Sequence, residues 1–105
     1  MKAKNGMRPV PPGEILREDF LKPLDLSANA LANAIGVPAN RITAILKAQR
    51  GITGDTAIRF AAFFGTTPEL WLNLQQTYEL RRAEKAIGQK VRRMIERHRE
   101  ELVHA

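Results

Sequence analysis

The stretch Ala28-Asn29-Ala30-Leu31-Ala32-Asn33-Ala34-Ile35-Gly36-Val37-Pro38-Ala39-Asn40-Arg41-Ile42-Thr43-Ala44-Ile45-Leu46-Lys47 decides the fold. Two short helices that cross over a tight turn need particular residues at particular offsets. A small residue is needed where the second helix packs on the first, and Ala32 supplies it, with Leu31 filling the apolar place before it. Four residues on, the turn favours positive φ, which glycine adopts without a Cβ penalty, and Gly36 stands there. An apolar residue should follow, as Val37 does, and two large apolar residues three apart should anchor the second helix, as Ile42 and Ile45 do. An ordinary pair of packed helices does not require all five conditions together. The spacing therefore predicts a helix-turn-helix unit with its second helix opening at Pro38.

In such a unit the N-terminal part of the second helix enters the major groove of DNA. Between Pro38 and Arg50 there are three basic residues and no acid, so the outer face of this helix suits a polyanion. Ala39, Asn40, Arg41, Thr43 and Ala44 are the candidates to meet base edges. Asn pairs bidentately with adenine, Arg with guanine, and the Thr and Ala methyls can contact the thymine methyl. Lys47 and Arg50 are expected at phosphates, with Ser27 and Asn29 at the N-terminus of the preceding helix. One unit reads only a few base pairs, so a dimer on an inverted repeat is expected, with half-sites about 34 Å apart.

Working outward, the pattern stays helical and shows no β-type alternation. Upstream, Gly6, Pro9, Pro11 and Pro12 suit a flexible arm over residues 1–12. Leu16 and Phe20 then mark a first helix that Pro23 is expected to end near Leu21 or Lys22. Ser27 is a suitable N-cap for the second helix, and Gly51 for closing the third. A fourth helix starts at Thr53 or Gly54, apolar on one face through Ala57, Ile58, Ala61 and Ala62 and on another through Phe60, Phe63 and Phe64, and stops at Gly65. Thr66-Thr67-Pro68-Glu69 opens a fifth helix running to about Ile87, with Gly88 as its stop. Trp71, Leu72, Leu74 and Tyr78 on that helix are the expected dimer surface, since aromatics are enriched at interface hot spots. The competing reading makes Trp71 a seal on the core. The fold expected is all-α: a five-helix domain over residues 13–87, with a basic tail over 88–105 whose pattern is compatible with a further helix.

Composition narrows the function. The 105 residues carry 17 Lys and Arg against 11 Asp and Glu, a formal net charge of +6. Of this, residues 1–80 contribute +2 and residues 81–105 contribute +4. There is no Cys, one Ser (Ser27), and only His98 and His104 near the end, so neither a catalytic triad nor a thiolate or imidazole metal site is expected. No catalytic residue, metal or cofactor is expected, and the chain reads as a non-enzyme. No apolar run approaches the roughly 18 residues of a membrane span, and no apolar stretch follows the basic start, so a cytoplasmic protein without a membrane partner is expected.

Three further stretches carry a resemblance. Met7-Arg8-Pro9-Val10-Pro11-Pro12-Gly13-Glu14-Ile15-Leu16-Arg17-Glu18, then Ile52-Thr53-Gly54-Asp55-Thr56-Ala57-Ile58-Arg59, then Thr67-Pro68-Glu69-Leu70-Trp71-Leu72-Asn73-Leu74-Gln75 with Tyr78-Glu79-Leu80-Arg81, resemble HigA-type antitoxins. These are Xre-like, lambda-repressor-like helix-turn-helix proteins, and with the central motif the likeness covers about residues 7–84. The resemblance implies an antitoxin of a bacterial toxin–antitoxin pair. Such a protein neutralises a small basic mRNA-cleaving toxin of the RelE/HigB-like kind and, as a dimer, represses the shared operon. It places Asn40, Arg41, Thr43 and Ala44 on the DNA-reading helix and Trp71, Leu72 and Leu74 on the dimerising one. The tail from Gly88 departs from the shorter members and receives no role. A stand-alone regulator without a toxin, and an interaction module docking through its amphipathic tail, stay open at this point.

Overall fold

A computed structural model describes residues 8–104, including the backbone but not the side chain of His104. The first seven residues of the expected arm, and Ala105 of the tail, lie outside the described residues. Among the described residues there are five helices and no strand. The first, α1, is made of three contiguous runs: Pro12–Ile15, a π-helical Leu16–Leu21, and Lys22–Leu24. It is followed by α2 (Ala28–Ile35), α3 (Ala39–Leu46), α4 (Gly54–Phe64) and α5 (Pro68–His104). α2 packs on α3 and α4, α1 lies against α3 and α5, and α4 runs along α5.

α1 continues to Leu24, past the end expected at Leu21 or Lys22. Pro23 lacks an N–H and its ring would collide with the carbonyl four residues back in a regular α-helix. The preceding turn is instead wound in the wider π register, with the Lys22 N–H reaching the Arg17 carbonyl five residues back. Asp25, at φ 51 and ψ 47, then ends the helix. At the other end Pro12 and Gly13 are already buried, and Arg8 makes a two-pronged ion pair with Glu14 at 2.9 and 3.0 Å.

The central turn follows its offsets. Ser27 Oγ accepts the Ala30 N–H at 3.0 Å, capping α2. Gly36 takes φ 73 and ψ 40, and the N–H of Val37 returns to the Ala32 carbonyl at 3.0 Å. α3 differs from expectation at both ends. Pro38, with extended backbone, is its N-cap rather than its first turn, and the helix stops at Leu46, well short of Gly51. Ala48 takes the left-handed conformation that closes it, at φ 59, while the Gln49 N–H bonds the Ala44 carbonyl at 2.9 Å.

The core is one cluster. Leu31, Ala32, Ile35, Val37, Ile42 and Ile45 from the two central helices meet Leu16 and Leu21 of α1, Ile52, Ala57 and Phe60 around α4, and Trp71 of α5. Each fully buried side chain of this size contributes about 1.5–3 kcal/mol. α4 buries one face only, through Thr56, Ala57, Phe60 and Ala61, while Ile58 and Phe63 stand 61% and 41% exposed. α1 approaches α3 closely at Gly13, where a Cβ would fall on the Ile45 carbonyl oxygen.

Trp71 corrects an expectation. It is fully buried within the single chain, ringed by Phe20 at 4.9 Å, Phe60 at 4.9 Å and Phe64 at 5.9 Å, and its indole N–H donates to Thr66 Oγ1 at 2.8 Å. An indole with no accessible surface has none to offer a second copy, so Trp71 belongs to the core and not to the dimer surface. Trp71→Ala is expected to lower stability by about 3–5 kcal/mol in chemical denaturation followed by circular dichroism. An unchanged midpoint with a shift toward monomer in sedimentation would return the residue to an interface.

α5 is interrupted at Gly88, whose φ 74 and ψ 171 are not helical. Residues 89–103 are exposed and the long dimension of the molecule, 59 Å against 26 and 22 Å, follows from this helix. No helix among the described residues is long and apolar enough to cross a membrane.

Candidate nucleic-acid interface

α3 has eight residues, about 12 Å of helix. Isolated helices of this length are marginal in water, so its position is set from outside. Ile42 and Ile45 anchor its inner side in the core. Its C-terminus is held by Arg17 of α1, whose Nη2 donates to the Leu46 carbonyl at 2.7 Å. The C-terminus of α2 is held in the same way by Arg59 of α4, whose Nη1 donates to the Ile35 carbonyl at 2.6 Å and the Gly36 carbonyl at 3.4 Å. A cation at a helix C-terminus also matches the helix dipole. Charge-assisted bonds of this kind contribute about 1.5–3 kcal/mol each when shielded. The loop after α3 is tied by Gln75 of α5, which accepts the Ile52 N–H through Oε1 at 2.9 Å.

What α3 presents is then a matter of which side chains remain. Ala39, Asn40 and Lys47 are exposed, Thr43 and Ala44 half-buried, and Arg50 is exposed just beyond the helix. Thr43 donates its hydroxyl proton to the Asn40 carbonyl at 3.3 Å, which leaves its methyl as the group for an outside contact. Ser27 and Asn29 are exposed at the start of α2. The Ser27 oxygen is used in capping, but its proton is left for an outside acceptor.

Arg41 is placed differently from its neighbours. Its side chain is only 23% exposed, and its Nη1 donates to Asp55 Oδ2 at 2.7 Å. The same oxygen accepts Arg59 Nε at 3.1 Å. Arg41 Nε is buried without a hydrogen-bond partner among the described residues. Leaving a donor so costs about 1–3 kcal/mol, while an exposed ion pair returns only about 0.2–1 kcal/mol. The exposure of Asp55 keeps the return on this pair small, while the unpaired Arg41 Nε counts against it. Hydrogen bonds from Arg41, then from Arg59, hold the Asp55 carboxyl below its ordinary pKa. A lowered carboxyl pKa stabilises the fold above the ordinary value, and that contribution is lost as pH falls through the lowered one. Asp55 thus stays charged at neutral pH, and two cations offset this acid, which bonds Arg41 of the acid-free α3.

The four residues expected at a dimer surface are dispersed. Trp71 is buried, Leu74 is half-buried against the core, and Leu72 is exposed. Tyr78 is half-buried with the Arg82 guanidinium 5.4 Å over its ring. Tyr78 also borders a cleft of about 320 Å³ with Pro11, Ile45, Arg50 and Arg82. Leu80 and Ile87, which the periodicity places on an apolar stripe further along this helix, are exposed and join Leu72 within an arc of about 80° at helical periodicity. Sequence reasoning missed Arg17, Arg59, Asp55 and Gln75. Only the Asp55–Arg59 spacing of four residues on one helix gave a local signal.

The helix-turn-helix family HTH_3 matches residues 18–71. Virulence-associated protein I of Dichelobacter nodosus is 52% identical over 82 residues, covering 78% of this chain and 76% of that protein. Among solved structures, an addiction module antidote protein of a HigA family from Coxiella burnetii is 53% identical, with a TM-score of 0.78 over 83% of this chain and 95% of that one. The Pseudomonas aeruginosa antitoxin HigA with the higBA promoter is 45% identical, with a TM-score of 0.77 over 80% of this chain and 91% of that one. The turn geometry, the five-helix core and these likenesses agree: the chain belongs to the HTH_3 helix-turn-helix family and, within it, to the HigA-type antitoxins.

Proposed function

We propose that this chain neutralises a cognate RelE/HigB-like mRNA-cleaving toxin and, as a dimer, represses the operon they share by binding an inverted repeat through α3. The observation that carries the DNA half is the outer face of α3, free of acids and fixed at its far end by Arg17. The likeness to an antitoxin solved with its promoter supports DNA binding. Asn40, Arg41, Thr43, Ala44 and Ala39 face base edges in this reading. Lys47, Arg50, Ser27 and Asn29 meet phosphates. Residues 13–87 form the DNA-binding and dimerising unit, and 88–105 an appended basic segment.

The dimer surface follows from what α5 leaves uncovered. With Trp71 and Leu74 taken by the core, the exposed stripe through Leu72, Leu80 and Ile87 is an apolar part of α5 before Gly88 that a second copy can cover. Burial of a stripe of this kind is the usual driving force of association.

Three measurements test this reading. In gel retardation with the DNA upstream of the chain's own gene, Asn40→Ala should weaken binding by about 1–3 kcal/mol and relax preference at one base pair. Lys47→Ala should weaken all sequences alike and reduce the slope of log K against log salt by about 1. Equal retardation of scrambled DNA by the wild-type chain would refute sequence reading. Leu80→Glu should convert the dimer to monomer in sedimentation with its fold intact by circular dichroism, and an unchanged dimer would remove the α5 stripe from the interface. Finally, the product of the adjacent gene should co-purify with this chain and arrest growth when expressed without it. Failure of both leaves a stand-alone regulator.

A further inference from the structure

We propose that Asp55 is a positioning residue for base reading, holding the Arg41 guanidinium so that α3 reads one base pair through it. The proposal rests on the reading of α3 as the DNA-contacting helix.

Four groups form a relay from the turn to the reading end of α3. The carbonyls of Ile35 and Gly36 accept Arg59 Nη1 at 2.6 and 3.4 Å. Arg59 Nε donates to Asp55 Oδ2 at 3.1 Å, and that same oxygen accepts Arg41 Nη1 at 2.7 Å. Arg41 is the third residue of α3, the part of the helix that enters the groove in this motif. A free arginine has many rotamers and reaches phosphates as readily as bases. One gripped by a single terminal nitrogen has lost most of that freedom before DNA arrives, which lowers the entropic cost of a directed contact. Nη2 takes no part in the grip.

Two features argue that the grip serves recognition. It holds Arg41 with its Nε buried and without a hydrogen-bond partner among the described residues, while the Asp55 carboxylate that grips it stays 56% exposed. And it places a carboxylate, 56% exposed, next to a helix that otherwise lacks acids from Pro38 to Arg50. An acid beside a DNA-facing surface opposes binding through repulsion of phosphates, so its presence there calls for a gain elsewhere. Arg59 reduces the repulsion and gives the same carboxylate oxygen a second bond.

The test selects a library of random-sequence duplexes on the full-length wild-type chain and on variants, and sequences the bound fraction. Arg41→Ala should erase preference at one base pair per half-site. Asp55→Asn should reduce discrimination at that same pair by about tenfold and leave the other positions as in wild type. Asp55→Glu should restore part of it, and Asp55→Asn in the Arg41→Ala background should change nothing further. Binding is read at a temperature where each variant is folded by circular dichroism, so loss of stability alone does not count. Three results overturn the proposal. Asp55→Asn could bind all sequences more tightly with unchanged preference, which makes Asp55 a simple repulsive charge. It could lower the melting temperature with unchanged preference, which makes the relay structural. Or preference could fall equally at every position. A wild-type chain that enriches no sequence overturns the reading of α3 itself, and this proposal with it.

Discussion

Arginine bonds to helix-terminal carbonyls are the interactions on which the reading surface depends. α2 and α3 have eight residues each, too few to be stable alone. Their apolar sides fix them to the core, but a core contact leaves a short helix free to tilt about its own packed stripe. Arg59 and Arg17 remove that freedom, each reaching from another helix to the last carbonyls of α2 and α3 at 2.6 and 2.7 Å. Both arginines stand on elements that also pack the aromatic cluster, where Phe20, Phe60, Phe64 and Trp71 meet. The direction of α3 is thereby referred to the helices that build the aromatic part of the core.

How far the sequence reveals this depends on the range of each interaction. Leu31, Ala32, Gly36, Val37, Ile42 and Ile45 were legible because a tight turn between two helices imposes fixed local offsets. The clamps were not, because Arg17 finds its partner 29 residues on and Arg59 finds one 24 residues back. Nothing in composition distinguishes such an arginine from a solvated one. Two local rules gave the wrong answer for related reasons. Pro23 ends a regular α-helix, but a π turn before it removes the conflict. Gly51 is the best closing residue nearby, yet Ala48 does the work because the loop must reach Gln75 and Ile52 before α4 can start. Trp71 and Leu72 are adjacent and point to different sides of one helix, so only the packed structure decides which is core.

Among candidate DNA contacts the difference between exposed and tethered side chains matters more than residue type. Asn40 and Lys47 are open to solvent, while Arg41 is folded against Asp55. The overall charge of +6 says little about this surface, since the domain to residue 80 holds only +2 of it. Local arrangement, with the acid that bonds Arg41 offset by two cations, is what makes the face of α3 suited to a polyanion.

Gly88 has a consequence for how the chain can diversify. Its φ 74 and ψ 171 fall in a region that only glycine occupies readily, and no atom lies where a Cβ would stand. The break in the helix is therefore set by backbone conformation at a glycine and not by a side chain wedged beside it. Residues 89–103 beyond it are exposed, so changes in their charge meet solvent and not the core of the domain that precedes them. Replacement of that glycine by any other residue favours a single unbroken rod. One codon thus decides whether the residues after it continue the line of α5 or leave it.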